Sequence, residues 1–197
     1  MSLVVASGCD WMRGGEELKG SVPRGSAYVG DITLPELQPG HPDKTFRLRA
    51  PRGHLLFVYF GYTNCPDICP TTLSDLRNAL RRIGSVSERV DAAFVTVDPY
   101  RDSASVVVPY LATFVKHGHA LRPQSQPQLG AAERAFGATS TITKQPSGEF
   151  EVDHTATSYI VDERGHVLVQ WDFGMSPQNM EHDLRILLTQ TGRGTSG

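Results

Sequence analysis

Two cysteines lie four residues apart, at Cys65 and Cys69. Apolar residues then recur at helical spacing, which predicts a helix that begins near Pro70 with Cys69 on its buried face. The positive end of a helix stabilises a thiolate and lowers a cysteine pKa. A spacing of four also brings both sulfurs to one side of a turn, so the pair could form a disulfide or bind one metal ion.

His154 could distinguish between these two uses. Two thiolates and one imidazole suit Cu(I) in a site of low coordination number, and they can also hold Cu(II). Zinc would take a fourth ligand, which Asp98, Asp153 or a water molecule could supply. A structural disulfide is a further alternative, although a bridge across three residues constrains little of the chain.

Other kinds of cysteine site fit the sequence less well. A thioredoxin-type redox enzyme normally has two residues between its cysteines, whereas three separate Cys65 from Cys69. A peroxidase would need a Thr-x-x-Cys motif, but Thr63 lies only two residues before Cys65. The chain has three cysteines in all, too few for a disulfide scaffold. Five other histidines have no sequence context comparable to that of His154 and are interpreted as ordinary surface or hydrogen-bonded residues: His54, His117, His119, His166 and His182.

The cysteines follow a run of apolar and aromatic residues, Leu55 to Phe60, which predicts a central strand buried on both faces. Ala92 to Val97 predicts a second buried strand. Ser103 opens a helical pattern in which Pro109 predicts a kink or a late start. A third helix is expected over Leu129 to Phe136.

The last third of the chain predicts two hairpins and a helix. The first hairpin turns within Lys144 to Gly148, and the second turns at Asp162 to Gly165. Ser176 and Pro177 then begin the last helix. Parallel βαβ units followed by an antiparallel hairpin and a closing helix are the plan of thioredoxin-like domains. We therefore expect an α/β thioredoxin-like fold, with a central mixed sheet flanked by helices and a β-hairpin insertion before the penultimate strand.

In that plan the cysteine motif lies after the first core strand, and the loop that enters the penultimate strand faces it. Here that loop contains Asp153 and His154.

The net charge of the chain argues against binding to polyanions, because 19 basic and 21 acidic residues give a net charge of −2. No basic field favours nucleic acid or anionic lipid.

The first 29 residues are expected to form a flexible tether, followed by the domain over residues 30–190 and a disordered tail over residues 191–197. Leu3 to Cys9 resembles the end of a bacterial lipoprotein signal, in which the cysteine becomes lipidated. No run of eighteen apolar residues occurs, so a membrane link would be a lipid or an N-terminal helix missing from the sequence.

Three segments together resemble the Sco/SenC family of copper-binding proteins. They are FGYTNCPDICP at residues 60–70, VDPYRD at residues 97–102 and VDHTA at residues 152–156. They occur in the family order with compatible gaps, and the resemblance extends from about Gly30 to Leu188.

The resemblance implies a redox-active, membrane-anchored domain on the periplasmic side of a bacterial inner membrane. It implies that Cys65, Cys69 and His154 bind one copper ion per chain, as Cu(I) or Cu(II), with Asp98 and Asp153 orienting His154. Expected partners are the copper-bearing subunit of cytochrome c oxidase and other periplasmic copper carriers or thiol-disulfide proteins.

Two functions share these residues. The first is a metallochaperone that helps assemble the binuclear copper centre of cytochrome c oxidase. The alternative is a thiol-disulfide reductase that keeps the cysteines of that centre reduced, with Cys65 as the attacking residue and Cys69 as the resolving one. The two hypotheses differ at His154, which only the copper site requires.

Overall fold

The computed structural model describes residues 17–23, 25 and 27–191. Within that part of the chain, strands alternate with helices in the order expected of an α/β domain. The strands are β1 (Thr33–Glu36), β2 (Lys44–Arg47), β3 (Leu55–Gly61), β4 (Val90–Thr96), β5 (Gly118–Leu121), β6 (Ser140–Lys144), β7 (Phe150–His154), β8 (Ser158–Val161) and β9 (Val167–Trp171). The helices are α1 (Ile68–Ile83), α2 (Ala104–Ala112), α3 (Gln126–Phe136) and α4 (Pro177–Thr191), with a 3₁₀ helix over Gly84–Arg89.

The central sheet has seven strands in the order β2-β1-β5-β4-β3-β8-β9. Strands β3, β4 and β5 are parallel, whereas β8 and β9 join antiparallel to the β3 side. Strands β6 and β7 form a separate two-stranded sheet, inserted between α3 and β8. The prediction of a mixed sheet with a hairpin before the penultimate strand is confirmed.

β3 is buried along its whole length, which explains its unbroken apolar sequence. Because side chains alternate between the faces of a strand, β3 contributes to two cores. Phe57 and Tyr59 belong to the core that also contains residues of α1, α2 and α4. Val58 and Phe60 belong to the core that contains residues of α3. The strand that leads into the cysteines is therefore fixed from both sides.

The structure adds elements that the sequence did not indicate. Strands β1, β2 and β5 have four residues each, and β2 is largely exposed, so their apolar pattern is weak. One of the histidines interpreted above as ordinary, His119, lies in β5. Helix α3 begins at Gln126, before the predicted start at Leu129, because the Ser125 side chain caps it by accepting the Gln128 N–H.

The N-terminal segment contacts the domain before the predicted boundary at Gly30. Ser21 forms an antiparallel bridge to Gln170 of β9, and Tyr28 forms another to His166. The ordered contacts thus extend into the segment expected to be a tether. Cys9 lies outside the described residues. Among the helices of the described part, none has the length and apolar character needed to cross a bilayer.

Candidate metal centre

The two cysteines lie where β3 passes into α1. Cys65 belongs to the connecting loop, and Cys69 occupies the first turn of α1 with no exposed surface. The backbone N–H of Cys69 donates to the Cys65 sulfur over 3.3 Å. Gly61 leaves room for this arrangement, because a Cβ atom there would lie 3.0 Å from the Cys69 sulfur. Both cysteines are free thiols in the structure.

His154, the last residue of β7, reaches the cysteines from the inserted hairpin. Its Nε2 atom lies 3.5 Å from the Cys69 sulfur. Its Nδ1 atom lies 3.0 Å from the backbone oxygen of Thr155, which can only accept a hydrogen bond. Nδ1 therefore carries the proton, and Nε2 presents its lone pair on the side of the sulfur. One ligand atom from each of Cys65, Cys69 and His154 lies within 4.8 Å of the others.

Two tyrosine rings enclose the imidazole. The Tyr59 and Tyr62 rings contact the His154 ring edge-on, with centroid distances of 6.0 and 5.8 Å. The Tyr59 hydroxyl also donates to the Cys69 sulfur over 3.8 Å. Burial raises the pKa of both tyrosines, to about 12 for Tyr62. Both tyrosine hydroxyls are therefore protonated at physiological pH, and the imidazole packs against two uncharged side chains.

The same burial changes the protonation of the ligands. Burial, together with a smaller effect of the adjacent Cys65, raises the pKa of the Cys69 thiol to about 12, although a hydrogen bond from the backbone of Tyr62 opposes the shift. The expected lowering by the helix end is thus outweighed by desolvation at Cys69. Burial also lowers the pKa of His154, against the opposing effects of Thr155 and Asp153. At neutral pH the metal-free site holds a protonated Cys69 thiol and a neutral imidazole.

The two sulfurs differ in access. Cys65 keeps 9% of its surface exposed, whereas Cys69 keeps none. Of the two cysteines, Cys65 is therefore the one that a metal ion or a partner thiol approaching from solvent would meet first.

The two aspartates expected to orient His154 do not hold its ring. Asp98 is buried and forms an ion pair with Arg101. Asp153 is exposed on β7, where its Cα atom pairs with that of Thr141. Neither carboxylate hydrogen-bonds the imidazole, and the carbonyl of Thr155 holds the ring instead. A backbone carbonyl has no signature in the sequence.

The donor set fits a soft metal ion. Two sulfurs and one imidazole nitrogen suit Cu(I), and among the described residues no carboxylate joins the group as the fourth ligand that zinc would need. The arrangement also allows the two sulfurs to react with each other, since they are adjacent and free.

Comparison with known proteins gives consistent matches. A family model described as SCO1/SenC matches residues 39–189. A SCO2-like protein of Rickettsia prowazekii is 26% identical over 130 residues, which cover 66% of this chain and 63% of the relative. The chain thus spans less than two thirds of the length of that relative.

Solved structures show the same architecture. Copper-bound ScoI of Bradyrhizobium japonicum has a TM-score of 0.65 at 27% identity, over 78% of this chain and 96% of that one. Apo Sco1 of Thermus thermophilus has a TM-score of 0.65 at 27% identity, over 90% of this chain and 96% of that one. The structural match therefore covers nearly the whole of each solved chain.

Proposed function

Because the chain belongs to the SCO1/SenC family and has its thioredoxin-like fold, we propose that it is a copper chaperone that binds one copper ion through Cys65, Cys69 and His154. The observation that carries the proposal is the approach of two sulfurs and one unprotonated imidazole nitrogen to within 4.8 Å of one another. The similar ScoI of Bradyrhizobium japonicum was solved with copper bound, which supports the choice of metal.

The unequal exposure of the thiols gives an order of events. Of the two cysteines, copper meets Cys65 first, and the fully buried Cys69 then completes the site together with the half-buried His154. Binding releases thiol protons to solvent, since thiolates are the ligands. On transfer, a ligand of the recipient replaces Cys65 before Cys69, because Cys65 is the more exposed of the two cysteines. The copper ion is therefore a cargo that enters and leaves by the same side.

The recipient that we propose is the copper-bearing subunit of cytochrome c oxidase, at the outer face of a bacterial inner membrane, with a lipid or helical anchor before the domain. Sco-type relatives support this assignment. Other copper carriers or thiol-disulfide proteins of the same compartment remain proposed partners.

The test is the stoichiometry and affinity of Cu(I) for the reduced chain, measured by competition with a chromophoric chelator. One ion per chain is expected, and His154→Ala should weaken binding strongly. Wild-type affinity in His154→Ala would contradict the three-ligand site. Bound copper should also protect both thiols from alkylation, and equal alkylation with and without one equivalent of Cu(I) would contradict a shared site.

The second candidate is a thiol-disulfide reductase, favoured by the free, adjacent and unequally exposed thiols. The Cys65 thiolate would attack a partner disulfide and release one thiol. Cys69 would then displace the second thiol, leaving a Cys65–Cys69 disulfide for an external dithiol to reduce. Catalytic turnover of an oxidised dicysteine peptide, retained in His154→Ala, would favour this function over copper delivery.

A further inference from the structure

Asp102 is a buried carboxylate with no part in the ligand set. Only 1% of its surface is exposed. It accepts hydrogen bonds from the Thr63 N–H over 3.2 Å, from the Thr63 hydroxyl and from the Thr96 hydroxyl. Among the described residues it forms no ion pair, since Arg101 pairs with Asp98 instead. These hydrogen bonds therefore satisfy the buried oxygens of Asp102.

The donors come from two neighbouring strand ends. Thr96 is the last residue of β4, and Thr63 lies in the loop between β3 and α1, two residues before Cys65. A backbone hydrogen bond from Val97 to the Gly61 oxygen, 2.9 Å long, joins the same two segments. Asp102 thus attaches the cysteine loop to the rigid end of the central sheet.

We propose that Asp102 is the positioning residue of the two thiols. By holding Thr63, it keeps the Cys65 sulfur where it accepts the Cys69 N–H and faces the other two ligand atoms. The consequence for copper rests on the proposed function. The consequence for the thiols does not rest on it, because the conformation of this loop affects the equilibrium between the dithiol and the disulfide whether or not copper binds.

Asp183 provides a matched control. It is equally buried, with no exposed surface, and its carboxylate also accepts three hydrogen bonds. These come from the Lys19 and Gly20 N–H groups and from the Trp171 indole, over 2.7, 2.9 and 2.9 Å. Removing either carboxylate leaves buried donors unpaired, but only Asp102 touches the cysteine loop.

The experiment compares Asp102→Ala, Asp102→Asn, Thr63→Val and Asp183→Ala. Three quantities are measured: the melting temperature, the Cu(I) affinity, and the equilibrium of the metal-free thiols with a glutathione redox buffer. In that equilibrium, oxidation of the two thiols to a disulfide is balanced by reduction of one glutathione disulfide to two glutathione molecules. Asp102→Asn keeps an acceptor for the Thr63 N–H and tests rescue by hydrogen bonding without charge.

Asp102→Ala should lower the Cu(I) affinity about 10- to 100-fold, the usual effect of losing a group that orients metal ligands. It should also shift the glutathione equilibrium about tenfold toward the disulfide, because the loop no longer favours the dithiol arrangement; this equals about 30 mV in potential. Thr63→Val should give a smaller shift of the same sign, and Asp102→Asn should restore most of both properties. Asp183→Ala should lower the melting temperature alone.

Changes within twofold of wild type in both affinity and glutathione equilibrium for Asp102→Ala would overturn the proposal, whatever its melting temperature. If Asp102→Ala does not fold, Thr63→Val decides: unchanged affinity and equilibrium would overturn the proposal. If the wild-type chain binds no copper, the proposed function fails, whereas the glutathione equilibrium still decides the role of Asp102.

Discussion

His154 and the histidines at the opposite end of the central sheet have different partners. At that end, near the start of β4 and β5, His54 lies 3.0 Å from an Asp91 oxygen and His117 lies 2.8 Å from a Glu88 oxygen. In each pair the carboxylate occupies one of the two imidazole nitrogens. His154 instead has a carbonyl on one nitrogen and a sulfur near the other. The two carboxylate-paired histidines each have one nitrogen engaged by a carboxylate, whereas the Nε2 atom of His154 is available to a metal.

The largest expected effect on Cu(I) affinity comes from removing a sulfur ligand at the cysteine end of the sheet. Cys69→Ser should abolish Cu(I) binding at micromolar protein concentration, because a hydroxyl is a poor ligand for soft copper. Only one thiolate, Cys65, and the imidazole of His154 would remain as ligands. Cu(I) competition titration measures this effect. Cys65→Ser should behave in the same way, and full binding by either variant would contradict the proposed ligand set.

The next largest effect on Cu(I) affinity is expected at His154 and is compared with a histidine of the opposite end. His154→Ala should lower the Cu(I) affinity by about two orders of magnitude, since it removes one of three ligands. His117→Ala is the matched control from the opposite end and should leave the affinity unchanged. Equal losses in both variants would mean that the partner of the imidazole does not decide its role.

The dependence of copper affinity on pH should be smaller and graded. Because the pKa of Cys69 is raised to about 12, the free chain keeps that proton at neutral pH and must release it on binding copper. The affinity should therefore rise at least tenfold for each pH unit between about pH 6.5 and 8. Because the pKa of His154 is lowered, protons compete with copper for its imidazole only at a pH below the ordinary titration range of histidine. A flat profile in a competition titration would show that no thiol proton is released.

The smallest effect is expected at the opposite end. Hydrogen bonds from His117 and Lys116 lower the pKa of Glu88, but the carboxylate is exposed. Exposed ion pairs contribute little to stability. Glu88→Gln should therefore change neither the melting temperature nor the Cu(I) affinity beyond experimental error. A clear loss of copper binding would indicate that the two ends are coupled.

Much of this site could be predicted from the sequence, because its parts follow from element order. The apolar run of β3 and the helical spacing after Cys69 place the cysteines, and the hairpin before β8 places His154. The surroundings could not be predicted in the same way. Asp98 and Asp102 belong to one short motif, and only the contacts show that Asp102 holds the cysteine loop. The raised pKa of Cys69 depends on burial by neighbours from several elements.

The bridges from Ser21 to Gln170 of β9 and from Tyr28 to His166, just before β9, have a consequence for self-association. β9 ends the order of the central sheet, and such an edge offers unpaired N–H and C=O groups to another chain. Described residues of the N-terminal segment hydrogen-bond to this edge, at Ser21 with Gln170 and at Ala27 with Val167, and so occupy part of it. The segment that leads into the domain therefore also protects it from edge-to-edge aggregation.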